Sequence, residues 1–391
     1  MTIGLALATT SDDPRNPRAW SGTPNAILRA MQNLECLQTS ILGPLDPGLR
    51  LIEGARKLRW SLESKRYLWE REPRILRRYR SQFQAKLNAT KPDVVLALGT
   101  IAAAALPRSV PYIVYIDATF KLNVDYYPTM TGICDRSLQL GNAVDQAAFH
   151  GASHVVATSE WAAASVIHGY GTPAERVSVV PIGAQHVCSL MPDEILQFAE
   201  ARTAGPLRLL WIGVEWQRKG GDVAVAIAHE LQSRGIDVEL HIAGLIPENE
   251  ICALPFVRVH GFLDARTQKQ QLVDLFLSSF ALLLPSRAEN TSVVIADAAS
   301  FGVPSFVSDT GGMRTMVHDG INGEVLPAGA QARGYADAVL KYWHSRSGYL
   351  ALVTTCRRRF ETDLCWSAAM RRISDIAHSV AMEAADLQAA A

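Results

Sequence analysis

Short, mostly apolar runs recur along most of this chain with helical pattern between them, and that alternation leaves few folds open. The runs fall at residues 3–8, 93–98, 112–116, 154–157, 177–180, 208–212, 238–243, 257–260, 280–284, 304–308 and 323–326. Several lack polar alternation, as strands do when both faces are covered. Strand and helix in repetition build parallel sheets, so the expected class is α/β. At 391 residues, 48% of them hydrophobic, the chain is long enough for two packed domains.

The series breaks once. Between Pro181-Ile182-Gly183-Ala184 and Leu207 lies a segment of acidic and small residues ending Thr203-Ala204-Gly205-Pro206. The expected division is a domain over 1–184, a linker over 185–206 and a second domain over 207–365. Each half is then a doubly wound, Rossmann-like unit, and two such units face each other across a cleft lined by strand C-termini.

Charge and cysteine usage remove several function classes. Lys+Arg and Asp+Glu both number 38, so no bulk attraction to nucleic acid is expected. The six cysteines are dispersed without CxxC spacing, and no metal site is expected. That usage suits a reducing, cytoplasmic setting. The first residues lack the basic start of a signal peptide and read as a buried strand. The longest apolar run, 94–106, is too short to span a bilayer. Residues 56–91 are exceptional, with 12 Lys/Arg against 3 Glu and with Trp60, Tyr67, Trp69, Tyr79 and Phe83 interleaved. Two readings stay open there: a solvated helix pair with aromatic anchors in the core, or a peripheral patch for anionic headgroups on the inner face of a membrane.

Chemistry concentrates in two stretches. The first is Phe280 to Pro304, which reads strand, loop, helix, turn, strand. Asn290, Thr291 and Ser292 have side chains suited to capping the helix, and a helix N-terminus can seat a diphosphate. Glu289 stands just before it and Asp297 eight residues later. The second is Trp211 to Asp222, a strand, then Gly213, then Arg218-Lys219-Gly220-Gly221 opening a helix. It is not a P-loop, and Gly-x-Gly-x-x-Gly, Gly-x-Ser-x-Gly and His-Glu-x-x-His patterns are missing.

This layout resembles the family 4 retaining glycosyltransferases of group 1, which have two Rossmann-like domains in the GT-B arrangement. The frame Pro285-Ser286, Glu289, Asp297, Gly302-Val303-Pro304 matches the family's pair of acids eight residues apart, with Asp297 one methylene shorter than the usual Glu. The resemblance implies that Glu289 touches the donor sugar, that Asp297 reaches the nucleotide ribose, and that Arg218 and Lys219 neutralise the diphosphate. Gly213, Gly261, Phe262, Asn290, Thr291 and Ser292 would complete the donor site. Val214 stands where many members have Arg.

In the first half the match is thinner. Trp20, Ser21 and Gly22 take the place of the family's Gly-rich loop, and Asp117 stands where many members carry His. Asp117 is either an acceptor-side base or a turn residue. Thr119 would line the acceptor cleft, and Ser159 and Glu160 either line it too or belong to a helix cap with Ser159 as the capping residue. The resemblance further implies that the last helix, about 366–391, crosses back to the first domain. It implies a UDP- or GDP-linked sugar as substrate, no cofactor and no metal, and a glycan, lipid-linked or small-molecule acceptor. Two other functions fit the same residues: a catalytically silent relative that binds nucleotide sugar or a partner, and a nucleotide-sugar epimerase.

Overall fold

The computed structural model describes residues 2–48, 51–264 and 266–389. Met1 and residues 390–391, at the ends of the expected first domain and last helix, lie outside the described residues. The chain separates into two compact units, residues 2–181 with 366–389, and Ile182–Cys365.

The first unit holds β1 (Ile3–Ala8), β2 (Leu37–Ile41), β3 (Val94–Leu98), β4 (Tyr112–Ile116), β5 (His154–Ala157) and β6 (Val177–Val179). All are parallel, in the order β2-β1-β3-β4-β5-β6. Every residue of β3 and β4 is buried, as their unbroken apolar runs require. The edge strand β2 has no counterpart among the expected runs. Its sequence Leu-Gln-Thr-Ser-Ile is polar because only Leu37 is fully covered. The helix Trp366–Ala389 packs in this unit against the helix Thr23–Gln32, burying Ile373, Ala377 and Val380.

The second unit holds β7 (Leu207–Ile212), β8 (Val238–Ala243), β9 (Val257–Gly261), β10 (Ala281–Leu284), β11 (Ser305–Ser308) and β12 (Gly323–Leu326), also parallel. Their order is β12-β11-β10-β7-β8-β9. Winding goes outward from β7 in one direction and from β10 in the other. In open α/β sheets, the ends of the two strands at such a reversal flank a crevice where ligands bind.

Residues 185–206 are not a linker. They fold into the second unit and contain the helix Pro192–Arg202, with Ile195 and Ala199 buried. Its acidic residues Asp193 and Glu194 sit in the first turn, where they favour the helix dipole. Arg202 is almost wholly buried and meets backbone carbonyls in place of a carboxylate: Leu277 and Phe301 at 2.9 Å and Gly302 at 3.0 Å. A charge so placed holds three segments together.

The basic stretch splits between the helices Leu51–Leu62 and Pro73–Thr90. Ile75, Tyr79, Phe83 and Leu87 form one buried stripe of the latter. Several cations are already engaged: Arg74 with Glu53 at 2.9 Å, Arg56 with Glu72 at 3.0 Å, Arg78 with Asp46, and Arg80 with the Ala104 carbonyl at 3.0 Å. Among the described residues no helix is long and apolar enough to cross a membrane.

Candidate functional site

The two motif stretches meet at the reversal point of the second sheet. The loop after β7 lies against the loop after β10, close enough that a Cβ on Gly220 would fall 2.0 Å from the Pro285 carbonyl oxygen. Gly220 also has φ +69°, so a side chain is excluded on both counts. The Arg287 amide donates to the Arg218 carbonyl at 2.8 Å. The Arg287 guanidinium then reaches the Gln217 carbonyl at 2.5 Å and Asp222 at 2.6 Å.

This stitching brings Arg218, Lys219 and Glu289 together. Lys219 Nζ donates to Glu289 Oε2, and Arg218 approaches the same oxygen at 3.2 Å. Arg218 also donates to the Ala288 carbonyl at 2.9 Å and to Glu215 Oε1 at 2.5 Å. Hydrogen bonding from Arg218 holds the Glu215 carboxyl below its ordinary value. The side chains of Arg218, Lys219 and Glu289 are 12%, 12% and 7% exposed, so their charges act through little water. Two cations and two carboxylates thus form a compact, compensated cluster at the strand ends. Glu215 and Arg287 escaped the sequence reading, although Glu215 lies three residues before Arg218 and Asp222, the partner of Arg287, stands in the first turn of the helix that follows.

The residues around the cluster are placed as follows. Gly213 ends β7, and a Cβ there would crowd the Trp211 ring at 2.9 Å. Asn290 and Ser292 are buried and Thr291 is half-buried. Ser292 occupies the N-cap of the helix Val293–Ser300, but its hydroxyl makes no capping bond. The Asn290 carbonyl accepts from Gly312 at 2.8 Å. Gly261 has φ +65° at the end of β9, and Phe262 beside it is 68% exposed. Ile246 packs near Gly261 and, like Val214, is exposed. Three apolar side chains therefore stand bare at the C-terminal ends of β7, β8 and β9. Of these the sequence reading named only Phe262 as a binding residue.

Asp297 lies in the interior of the second unit. It is turned inward, and its Oδ1 accepts from the Gln185 and His186 amides at 2.7 and 2.9 Å. The shorter side chain satisfies a backbone segment through that oxygen. Burial pushes its carboxyl from 3.8 up to about 6, against the nearby His186 and the two amide hydrogen bonds, which lower it. Above that value the fold holds a buried charge that the unfolded chain keeps in water, so this group lowers stability as pH rises from about 4 to 6. Asp297→Asn keeps an acceptor and carries no charge. Its stability relative to wild type is expected to grow by about 2–3 kcal/mol between pH 4 and pH 7, read from melting curves of both proteins. A difference independent of pH would show that Asp297 titrates as an ordinary carboxylate.

In the first unit, the segment after β1 has three successive left-handed residues, Trp20, Ser21 and Gly22, at φ 43°, 52° and 83°. Strain of this kind persists only where packing fixes it, and the Trp20 ring sits edge-on to Tyr115 at 6.4 Å. Asp117 ends β4 and is half-buried, and Glu160 is exposed. Ser159 takes the capping alternative, and Thr119, expected only in the cleft, also caps a helix. Both are buried, Thr119 accepting from the Leu122 amide at 3.3 Å and Ser159 from the Ala162 amide at 3.2 Å.

Known proteins match both units. A family model described as Glycosyltransferase Family 4 matches residues 37–186, and one described as Glycosyl transferases group 1 matches residues 206–345. A D-inositol 3-phosphate glycosyltransferase of Xylanimonas cellulosilytica is 29% identical over 54% of this chain and 54% of that protein. One of Paenarthrobacter aurescens is 26% identical over 50% of each. The chain thus spans about half the length of the curated relatives it matches. Among solved structures, Anabaena Alr3699/HepE in complex with UDP superposes with TM-score 0.65 at 14% identity, over 97% of this chain and 100% of that one. That likeness concerns the fold.

Proposed function

The chain belongs to the family 4 glycosyltransferases of the group 1 type, and we propose that it moves a hexose-type sugar from a nucleotide-sugar donor to an acceptor hydroxyl with retention of configuration. The observation that carries this is the meeting of Arg218, Lys219 and Glu289 at the ends of β7 and β10. A diphosphate leaving group gains negative charge as the glycosidic bond breaks, and two cations in a mostly dry site favour that state over the ground state. Glu289 would face the sugar near its reacting carbon. The acceptor hydroxyl attacks from the face the diphosphate leaves, without a covalent intermediate on the protein.

Val214, Ile246 and Phe262 offer an apolar shelf for the base. On the acceptor side, Asp117 would accept a hydrogen bond from the incoming hydroxyl, next to the strained Trp20–Gly22 segment. The donor is UDP- or GDP-linked, UDP having the support of the Anabaena complex. The acceptor is a glycan, a lipid-linked sugar or a small polyol. With Arg218 and Lys219 in the place of a divalent cation, excess EDTA leaves the rate unchanged.

The test is thermal stabilisation by UDP, GDP, ADP, dTDP and CMP. A ligand at a hundred times its dissociation constant adds about 2.7 kcal/mol. One nucleotide is expected to raise the melting temperature of the wild type and not that of Lys219→Ala. Stabilisation by none of them would favour a silent relative. Donor turnover without any acceptor would favour an epimerase.

A further inference from the structure

The helix Leu51–Leu62 is built inside out. A helix on the surface of a folded unit normally turns its apolar stripe to the core, yet here Glu53 is the only residue of the helix that is buried. The polar side faces the protein. Glu53 pairs with Arg74 at 2.9 Å, and Arg56 pairs with Glu72 at 3.0 Å. Glu72 is in turn fixed by Arg136 at 2.5 and 2.6 Å and by the Tyr67 hydroxyl at 2.6 Å. Opposite this anchor, Leu51, Leu58 and Leu62 are 78%, 66% and 82% exposed. Their spacing of seven and four residues places all three on one stripe, with Ala55 between them. Ile52 flanks it and is also half-exposed.

Cations border the stripe. Lys57 and Arg59 are exposed on the same helix, and Lys65 and Arg66 follow it. Trp60 lies between two of them, with the Arg59 guanidinium 5.2 Å and the Lys65 ammonium 5.9 Å from its ring. Trp60 itself is half-buried on the Glu53 side of the helix. An apolar stripe edged by Lys and Arg is the composition of helices that lie in the plane of a bilayer interface.

We propose that this helix seats the first unit on an anionic lipid surface, with Leu51, Leu58 and Leu62 in the acyl boundary and Lys57, Arg59, Lys65 and Arg66 among the headgroups. Charge selects this occupant. A second copy would bring the same cations face to face, whereas phosphate headgroups complement them. The contact is peripheral, and the ion pairs to Glu53 and Glu72 hold the helix to the body of the unit.

The full chain should co-sediment with phosphatidylcholine vesicles containing phosphatidylglycerol and not with phosphatidylcholine alone. The double variant Lys57→Glu/Arg59→Glu should bind at least about a hundredfold more weakly, and Lys269→Glu, an exposed charge in the other unit, should change nothing. Leu51→Ser/Leu58→Ser/Leu62→Ser should also lose the vesicles with every cation retained. The single variant Leu62→Ser, at the most exposed of the three positions, repeats that test with the least risk to folding. Vesicle binding that survives loss of the leucines would overturn the proposal in favour of bare charge attraction. Self-association of the wild type without lipid, abolished by the leucine variants while vesicle binding is absent, would overturn it in favour of a second copy. Nucleotide stabilisation should be the same in all these variants, so failure here leaves the donor-site assignment standing.

Discussion

Lys219→Ala is expected to lower glycosyl transfer by two to three orders of magnitude, about 2.7–4 kcal/mol of transition-state stabilisation, with the protein still folded. Burial decides the size of the effect. A cation in free solvent attracts a phosphate weakly, and its removal costs roughly 1 kcal/mol or less. Lys219 is 12% exposed and closes on Glu289 beside Arg218, so its charge is little screened. Lys219→Arg separates charge from shape, since guanidinium restores the cation but not the compact ammonium. Partial recovery of turnover by arginine, with alanine inactive, would assign the loss to missing charge. Wild-type turnover in a folded Lys219→Ala protein would remove Lys219 from the donor site. The measurement is initial rate against donor concentration for all three proteins, with melting temperatures alongside.

Why those residues were visible in the sequence, and others were not, follows from where each sits. Strands β3, β4 and β10 are covered on both faces, so burial writes itself into them as unbroken apolar runs. The cluster was legible because the sheet's reversal point dictates which loops meet. The loops after β7 and β10 must adjoin, and both carry charged residues beside Gly or Pro. Strand β2 was illegible because an edge strand buries little, and its Gln38, Thr39 and Ser40 read as loop. The helix Pro192–Arg202 was hidden for a related reason. Its core face is only Ile195 and Ala199, and the tie that fixes it is Arg202 on distant carbonyls, which no local pattern announces. Asp297 shows a third limit. Spacing placed it on the right helix, but whether its carboxylate faces a ligand or the backbone of residues 185–186 depends on one methylene and on a segment 111 residues away. In the 56–91 segment the count of cations was plain, while the outward leucines of 51–62 were not. Exposure is a property of the packed unit and not of the helix period.

Glu289→Gln is expected to separate binding from turnover. The Glu289 carboxylate meets both cations that a diphosphate would use. A nucleoside diphosphate must therefore compete with an anion already in place. Glutamine keeps the side chain's size and an acceptor oxygen but gives up the charge, so Lys219 loses its carboxylate and Arg218 keeps only Glu215. Affinity for the nucleoside diphosphate should rise by about tenfold, or 1.4 kcal/mol, while transfer falls at least about a hundredfold through loss of the carboxylate proposed to face the sugar. The unliganded variant should also melt lower, because removing one partner of a mostly buried pair leaves the other uncompensated. Added nucleotide then restores more stability to the variant than to the wild type, since it supplies the missing anion. Calorimetric titration of nucleotide into both proteins, beside rates of transfer, reads the two effects separately. If affinity and transfer fall together, Glu289 holds the cations in position for the donor and does not compete with it. If affinity is unchanged, the diphosphate lies away from Arg218 and Lys219, and the donor site must be sought elsewhere along the strand ends of the second sheet.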